Sequence, residues 1–126
     1  MPPKTAKILI VDDEKTVCYS LGLALAGEGY EIDSSQSGEE ALQKIEAGAY
    51  DAIICDLMMP GLSGLDVLKI LRDRGRKTPV VLVTGYPTSK AAEEASKMGA
   101  FDFLMKPFTP EDIRSVIGRA VGAGLG

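Results

Sequence analysis

Five times along the chain a short apolar run gives way, within a few residues, to apolar positions at helical spacing. Ile8–Val11 and Val80–Val83 are continuous and rich in β-branched residues, as expected of strands buried on both faces. Ala52-Ile53-Ile54-Cys55 reads the same way and runs straight into Asp56, and Phe101–Met105 supplies a fifth run. Tyr30–Ser34 instead alternates apolar and polar, which predicts a strand with one wetter face at the edge of a sheet.

Between these runs lie helices with recognisable ends. From about Lys15 to Glu28, Val17, Leu21, Ala24 and Leu25 recur at helical spacing, with Gly29 placed to cap the end. Ser37-Gly38-Glu39-Glu40 has the form of a capping box, and Ala41, Leu42 and Ile45 give the helix behind it an apolar face. Ser63 with Asp66 starts a third helix carrying Val67, Leu68, Ile70 and Leu71 to about Arg74-Gly75. The fourth, from about Ser89 to Met98, offers mostly alanine to the core, so it is expected to be the loosest packed. Thr109-Pro110-Glu111-Asp112 combines a capping hydroxyl, a proline at the first helical position and acids in the first turn, and Ile113, Val116, Ile117, Ala120 and Val121 form the stripe of the last helix. Five strand–helix pairs with short connections imply a doubly wound parallel sheet covered by helices on both faces, with 2-1-3-4-5 a favoured strand order. The expected organisation is a single domain over residues 1–122, its core at about 7–121, with 123–126 a flexible glycine-rich tail.

Composition excludes several functions. At 126 residues and 45% hydrophobic the chain closes one core, and a net charge of −4 offers no basic face for nucleic acid. The first five residues carry no apolar targeting segment, and no run approaches the ~18 apolar residues of a membrane span, so a cytoplasmic protein is expected. Cys18 and Cys55 lie inside predicted elements and read as buried thiols rather than a disulfide. Histidine is absent, so any chemistry must rest on carboxylates, lysine and hydroxyls.

In the order 2-1-3-4-5 the first and third strands are neighbours at the switch point, where such sheets bind ligands. Asp12, Asp13 and Asp56 then converge beyond their carboxyl ends, and the fourth and fifth strands bring Thr84 and Lys106 to the same edge. Three carboxylates in one place repel unless cations compensate. Lys106 supplies one positive charge, and a hard divalent ion, for which Mg2+ is the natural candidate, supplies the rest. An aspartate beside a metal, a lysine and a hydroxyl is equipped for phosphoryl transfer, with Asp56 as the nucleophile and Thr84 as a donor to a phosphoryl oxygen.

These residues together resemble a response-regulator receiver domain of two-component signalling, with a CheY-like, flavodoxin-like fold. The likeness runs from about Lys7 to Val121 and rests on Asp12-Asp13, on Asp56 followed by Met59-Pro60-Gly61 and Gly64, on Thr84, and on Lys106-Pro107. It implies that Asp56 accepts phosphate from a phosphohistidine on a sensor histidine kinase or histidine phosphotransfer protein. It also implies that Asp13, Asp56 and the backbone carbonyl of Met58 bind Mg2+, with Asp12 acting through water, and that the bond preceding Pro107 is cis. On this resemblance the chain is a signalling switch rather than an enzyme, catalysing only its own phosphoryl transfer and slow autodephosphorylation. It would be a monomer or a weak phosphorylation-dependent dimer.

The switch residues implied are Thr84, Tyr86 and Phe103. Phe103 stands where the family often has tyrosine, so its ring lacks a hydroxyl to hydrogen-bond. Met58 and Tyr86 occupy positions at which the family tunes access of the hydrolytic water, and their bulk is expected to slow hydrolysis. The expected output surface is the fourth helix, fifth strand and fifth helix. The alternative reading is a pseudo-receiver, an interaction module that keeps the fold and works without phosphorylation. A flavodoxin-like cofactor binder fits poorly, because the first loop is Asp-Asp-Glu where phosphate binding wants glycine and backbone N–H groups.

Overall fold

A computed structural model describes residues 5–86 and 88–125. Expectations for residues 1–4, Pro87 and Gly126 lie outside the described residues. The elements are β1 (Lys7–Val11), α1 (Lys15–Leu25), β2 (Glu31–Ser35), α2 (Gly38–Ala47), β3 (Ala52–Asp56), α3 (Gly64–Asp73), β4 (Val80–Thr84), α4 (Ser89–Lys97), β5 (Asp102–Met105) and α5 (Pro110–Leu125). All strands pair in parallel in the order β2-β1-β3-β4-β5, as expected.

Successive strand residues point to opposite faces, and this divides the core in two. Ile8, Ile10, Ile54, Val81 and Val83 pack with Leu21 and Leu25 of α1 and with Ile113, Val116 and Ile117 of α5. Leu9, Val11, Ile53, Cys55, Val80 and Leu82 pack on the other side with residues of α2, α3 and α4. Every residue of β3 and β4 is buried, which explains their unbroken apolar runs. On α4 only Ala95 is buried, in keeping with its small side chains, whereas α3 buries Gly64, Val67, Leu68 and Leu71. Among the described residues no helix is long and apolar enough to cross a membrane.

Strand ends differ from expectation by single residues, and two helix ends differ by more. α1 stops at Leu25 rather than running to Glu28, because Ala26 is extended and Gly27, at φ +88°, turns the chain. α5 continues past Val121 to Leu125, through the glycines that suggested a break there. The third-helix cap is a complete capping box: the Ser63 hydroxyl accepts from the Asp66 N–H while the Asp66 carboxylate accepts from the Ser63 N–H. α2 has only half of one, since Ser37 accepts from the Glu40 N–H but the Glu40 carboxylate faces Lys44, 3.9 Å away. Cys18 and Cys55 are buried free thiols.

β2 lies at the edge, and its polar face is tied down by a small network. The Tyr50 hydroxyl donates to Asp33 Oδ2 at 2.7 Å, and Lys44 Nζ meets Asp33 Oδ1 at 3.1 Å and also donates to the Ser34 carbonyl. Burial pushes the Asp33 carboxyl up, but bonds from Tyr50, Lys44 and the Ser34 N–H outweigh it and hold the group below its ordinary value. Burial, and then the bond to Asp33, push Tyr50 up to about 12. A raised folded-state value means that Tyr50's contribution is complete below its ordinary value of 10.0 and is lost as pH rises toward about 12. Urea denaturation is therefore expected to find Tyr50→Phe less stable than wild type by about 1 kcal/mol at neutral pH. That difference should shrink across the alkaline window, and a gap that holds constant through it would contradict the assignment.

Candidate functional site

The parallel register delivers the site residues to one edge. Asp12 follows β1, and Asp56 and Thr84 are the last residues of β3 and β4. Backbone bonds lock these ends together: the Leu57 N–H donates to the Val83 carbonyl at 2.8 Å, and the Lys106 N–H to the Thr84 carbonyl at 2.7 Å. The Lys106–Pro107 bond is cis. Gly64 explains itself by closeness, because a Cβ there would stand 2.6 Å from the Asp56 carbonyl oxygen. The first turn of α3 thus sits directly on the backbone of the strand end.

Carboxylate oxygens of Asp12, Asp13 and Asp56 lie within 4.8 Å of one another. Asp12 is 1% exposed and Asp56 6%, while Asp13 is exposed. Lys106 Nζ approaches Asp12 Oδ2 at 3.6 Å and Asp56 Oδ1 at 3.7 Å. These are ion pairs rather than short hydrogen bonds. Burial pushes both carboxyls above their ordinary value; for Asp12 the Glu14 N–H, 2.9 Å from Oδ1, opposes the rise, and for Asp56 the Lys106 ammonium does. One ammonium does not balance three carboxylates.

The donor set fits a divalent cation on structural grounds. Asp12 Oδ2 is buried without a hydrogen-bond partner, and the surrounding ligands are hard oxygens suited to Mg2+. An acid cluster with one ammonium for three carboxylates is costly unless a cation completes it.

Around this pocket stand the remaining residues named from sequence. Thr84 is fully buried, and its hydroxyl accepts from the Tyr86 N–H at 3.1 Å, leaving its proton free to donate. The Met58 N–H donates to Asp56 Oδ1 at 3.4 Å, and the Met58 side chain, 61% exposed, stands in solvent as does Tyr86 at 81%. Phe103 is half-buried on β5 and packs against the face shared with α4. Burial raises the Cys55 thiol far above its usual range, so it serves as strand packing. An apolar groove of about 360 Å³, walled by Val17, Leu21, Ala24, Phe108 and Ile113, opens beside Lys106 and carries no acid.

Sequence reading missed two supports. The Glu14 N–H that caps Asp12 was invisible as a role, since a backbone donor leaves no residue signature. The other is Glu39 of α2, whose carboxylate reaches the loop after β3, a contact between elements that no local spacing encodes.

Comparison with known proteins agrees with this arrangement. Residues 8–118 match the family model described as the response regulator receiver domain. The chain is 34% identical over 107 residues to the transcriptional regulatory protein DltR of Streptococcus agalactiae, covering 85% of this chain and 48% of that protein. It superposes on a putative response regulator from Chloroflexus aurantiacus with TM-score 0.87 and 36% identity, over 94% of this chain and 99% of the other. For the chemotaxis response regulator CheY4 of Vibrio cholerae the TM-score is 0.85 at 31% identity, over 93% and 99% of the two chains. The chain spans half or less of the length of the curated relatives DltR and AtoC, 48% and 25% respectively. With the matched segment covering the five strands from Ile8 onward and the whole acidic edge, the chain belongs to the response regulator receiver domain family of two-component systems.

Proposed function

We propose that this domain is the phosphoacceptor of a two-component phosphorelay, with Asp56 taking a phosphoryl group from a phosphohistidine on a sensor histidine kinase or histidine phosphotransfer protein. The observation that carries the reading is the buried Asp56 carboxylate at the end of β3, with Lys106 3.7 Å away and two further aspartates beside it. A carboxylate oxygen of Asp56 attacks phosphorus, the bond from phosphorus to the donor imidazole breaks, and the electron pair leaves with the imidazole. Lys106 bears part of the phosphoryl charge, and the Thr84 hydroxyl donates to a phosphoryl oxygen. Asp13, Asp56 and the Met58 carbonyl would hold Mg2+, with Asp12 acting through water; when bound, the ion neutralises charge on the carboxylates and on the transferring group. The absence of histidine is consistent with a donor on another chain.

The domain is read as a switch that catalyses only its own phosphorylation and a slow hydrolysis of the acyl phosphate. Phosphorylation adds negative charge and strong acceptor oxygens beside Thr84, which draws the loop that follows inward. That loop leads into α4, which buries only Ala95 and so yields at low cost. The surface of α4, β5 and α5 is accordingly the element read by a downstream protein, in the cytoplasm and by protein contact rather than by DNA binding of this acidic domain.

Incubation with radiolabelled acetyl phosphate and Mg2+ is expected to label the wild type, with labelling abolished in Asp56→Ala and by EDTA. Labelling that survives in Asp56→Ala would remove the assignment. The bulk of Met58 and Tyr86, two positions after Asp56 and Thr84, supports a role in shielding the acyl phosphate. Met58→Asn and Tyr86→Ala are therefore expected to shorten its lifetime several-fold, and equal lifetimes in all three proteins would refute shielding. Amide exchange with beryllofluoride should change protection between Tyr86 and Met98; unchanged protection there would count against α4 as the moving element.

A further inference from the structure

The loop between β3 and α3 carries Met58, whose N–H meets Asp56 Oδ1 at 3.4 Å, and it is gripped from outside by α2. Its C-terminal end is anchored by the Ser63–Asp66 capping box and by Gly64 lying on the Asp56 backbone. On its outer side Gly38, the first residue of α2, approaches so closely that a Cβ would lie 2.7 Å from Leu62 Cβ and 3.1 Å from the Leu62 carbonyl oxygen. The next residue, Glu39, lays its carboxylate over the apex of the loop. Its Oε1 accepts from the Leu62 N–H at 3.4 Å and lies 2.9 Å from where a Cβ on Gly61 would stand.

Gly61 has φ +76°, a backbone conformation favouring glycine, and the Glu39 carboxylate rests against the space a side chain would take. The two acids in the first turn of α2 behave differently. Glu40 turns along its own helix to Lys44, whereas Glu39 crosses to another element. A favourable charge at a helix N-terminus would account for an acid at either position but not for its seat on Gly61 and Leu62.

We infer that Glu39 is a positioning residue for the acidic site, latching the Met58–Leu62 loop to α2 and so fixing the Met58 backbone relative to Asp56. The inference rests on the proposed role of the Met58 carbonyl and the aspartates in holding Mg2+. Releasing the latch lets the loop sample other conformations, so a cation must restore the order that the hydrogen bond now supplies. Glutamine preserves the acceptor oxygen without the charge, so it keeps the latch, whereas alanine removes it.

The test is calorimetric titration of Mg2+ into the wild type, Glu39→Ala and Glu39→Gln, with amide exchange of the metal-free proteins as a second readout. Expected are Mg2+ binding weakened about threefold to tenfold in Glu39→Ala, the range corresponding to one hydrogen bond, and faster exchange at Met58, Met59, Gly61 and Leu62. Glu39→Gln should stay close to wild type in both. Wild-type affinity and exchange in Glu39→Ala would overturn the latch alone. Weakening in Glu39→Gln equal to that in Glu39→Ala would also overturn it, by assigning the effect to charge. A wild type that binds no Mg2+ would overturn the proposed metal site and the latch together.

Discussion

Two buried carboxylates facing each other at the end of a parallel sheet are the constraint on which the rest of this structure depends. Asp12 and Asp56 are nearly inaccessible, and burial raises both above the ordinary carboxyl value. The molecule tolerates them because β1 and β3 are locked side by side by their ladder and by apolar layers above and below. Lys106 from β5's end and the Glu14 N–H offset part of the cost. The remainder is an electrostatic demand for positive charge at the strand end, which a bound cation would meet.

Stability is unevenly distributed around that demand. The central strands and α3 are fully packed, and the β3–α3 loop is fixed by glycines at close approaches and by a capping box. On the opposite side of the pocket, Thr84 opens into an exposed loop and an alanine-rich helix with one buried residue. The proposed phosphorylation of Asp56 would therefore meet a stiff wall on one side and a soft one on the other. The Arg72 guanidinium donates to the carbonyls of Thr78 at 2.9 Å and Gly99 at 2.9 Å, tying the turn after α4 to α3.

Most of the fold was legible because its signals are local. Continuous β-branched runs, helical stripes and caps such as Ser63–Asp66 arise from residues within a few positions of each other, and they located all ten elements. Errors fell where local chemistry is ambiguous. Either Gly27 or Gly29 could end α1, and both adopt positive φ. Glycines at 122 and 124 suggested a break that α5 does not make, since each costs a helix only about 1 kcal/mol relative to alanine.

The sequence by itself determined which chemistry was available: aspartates, a threonine and a lysine placed after strand-forming runs, with no histidine. It also determined the strand–helix alternation, because side-chain periodicity is a property of neighbours along the chain. Only the tertiary structure decided the spacing of those groups, the near-total burial of Asp12 against the exposure of Asp13, and an Asp12 Oδ2 that has an ion pair but no hydrogen-bond donor. It alone brought Glu39 across to Gly61 and Leu62. Such features depend on how layers pack and which elements become neighbours, and desolvation and Coulomb interactions act through space rather than along the chain.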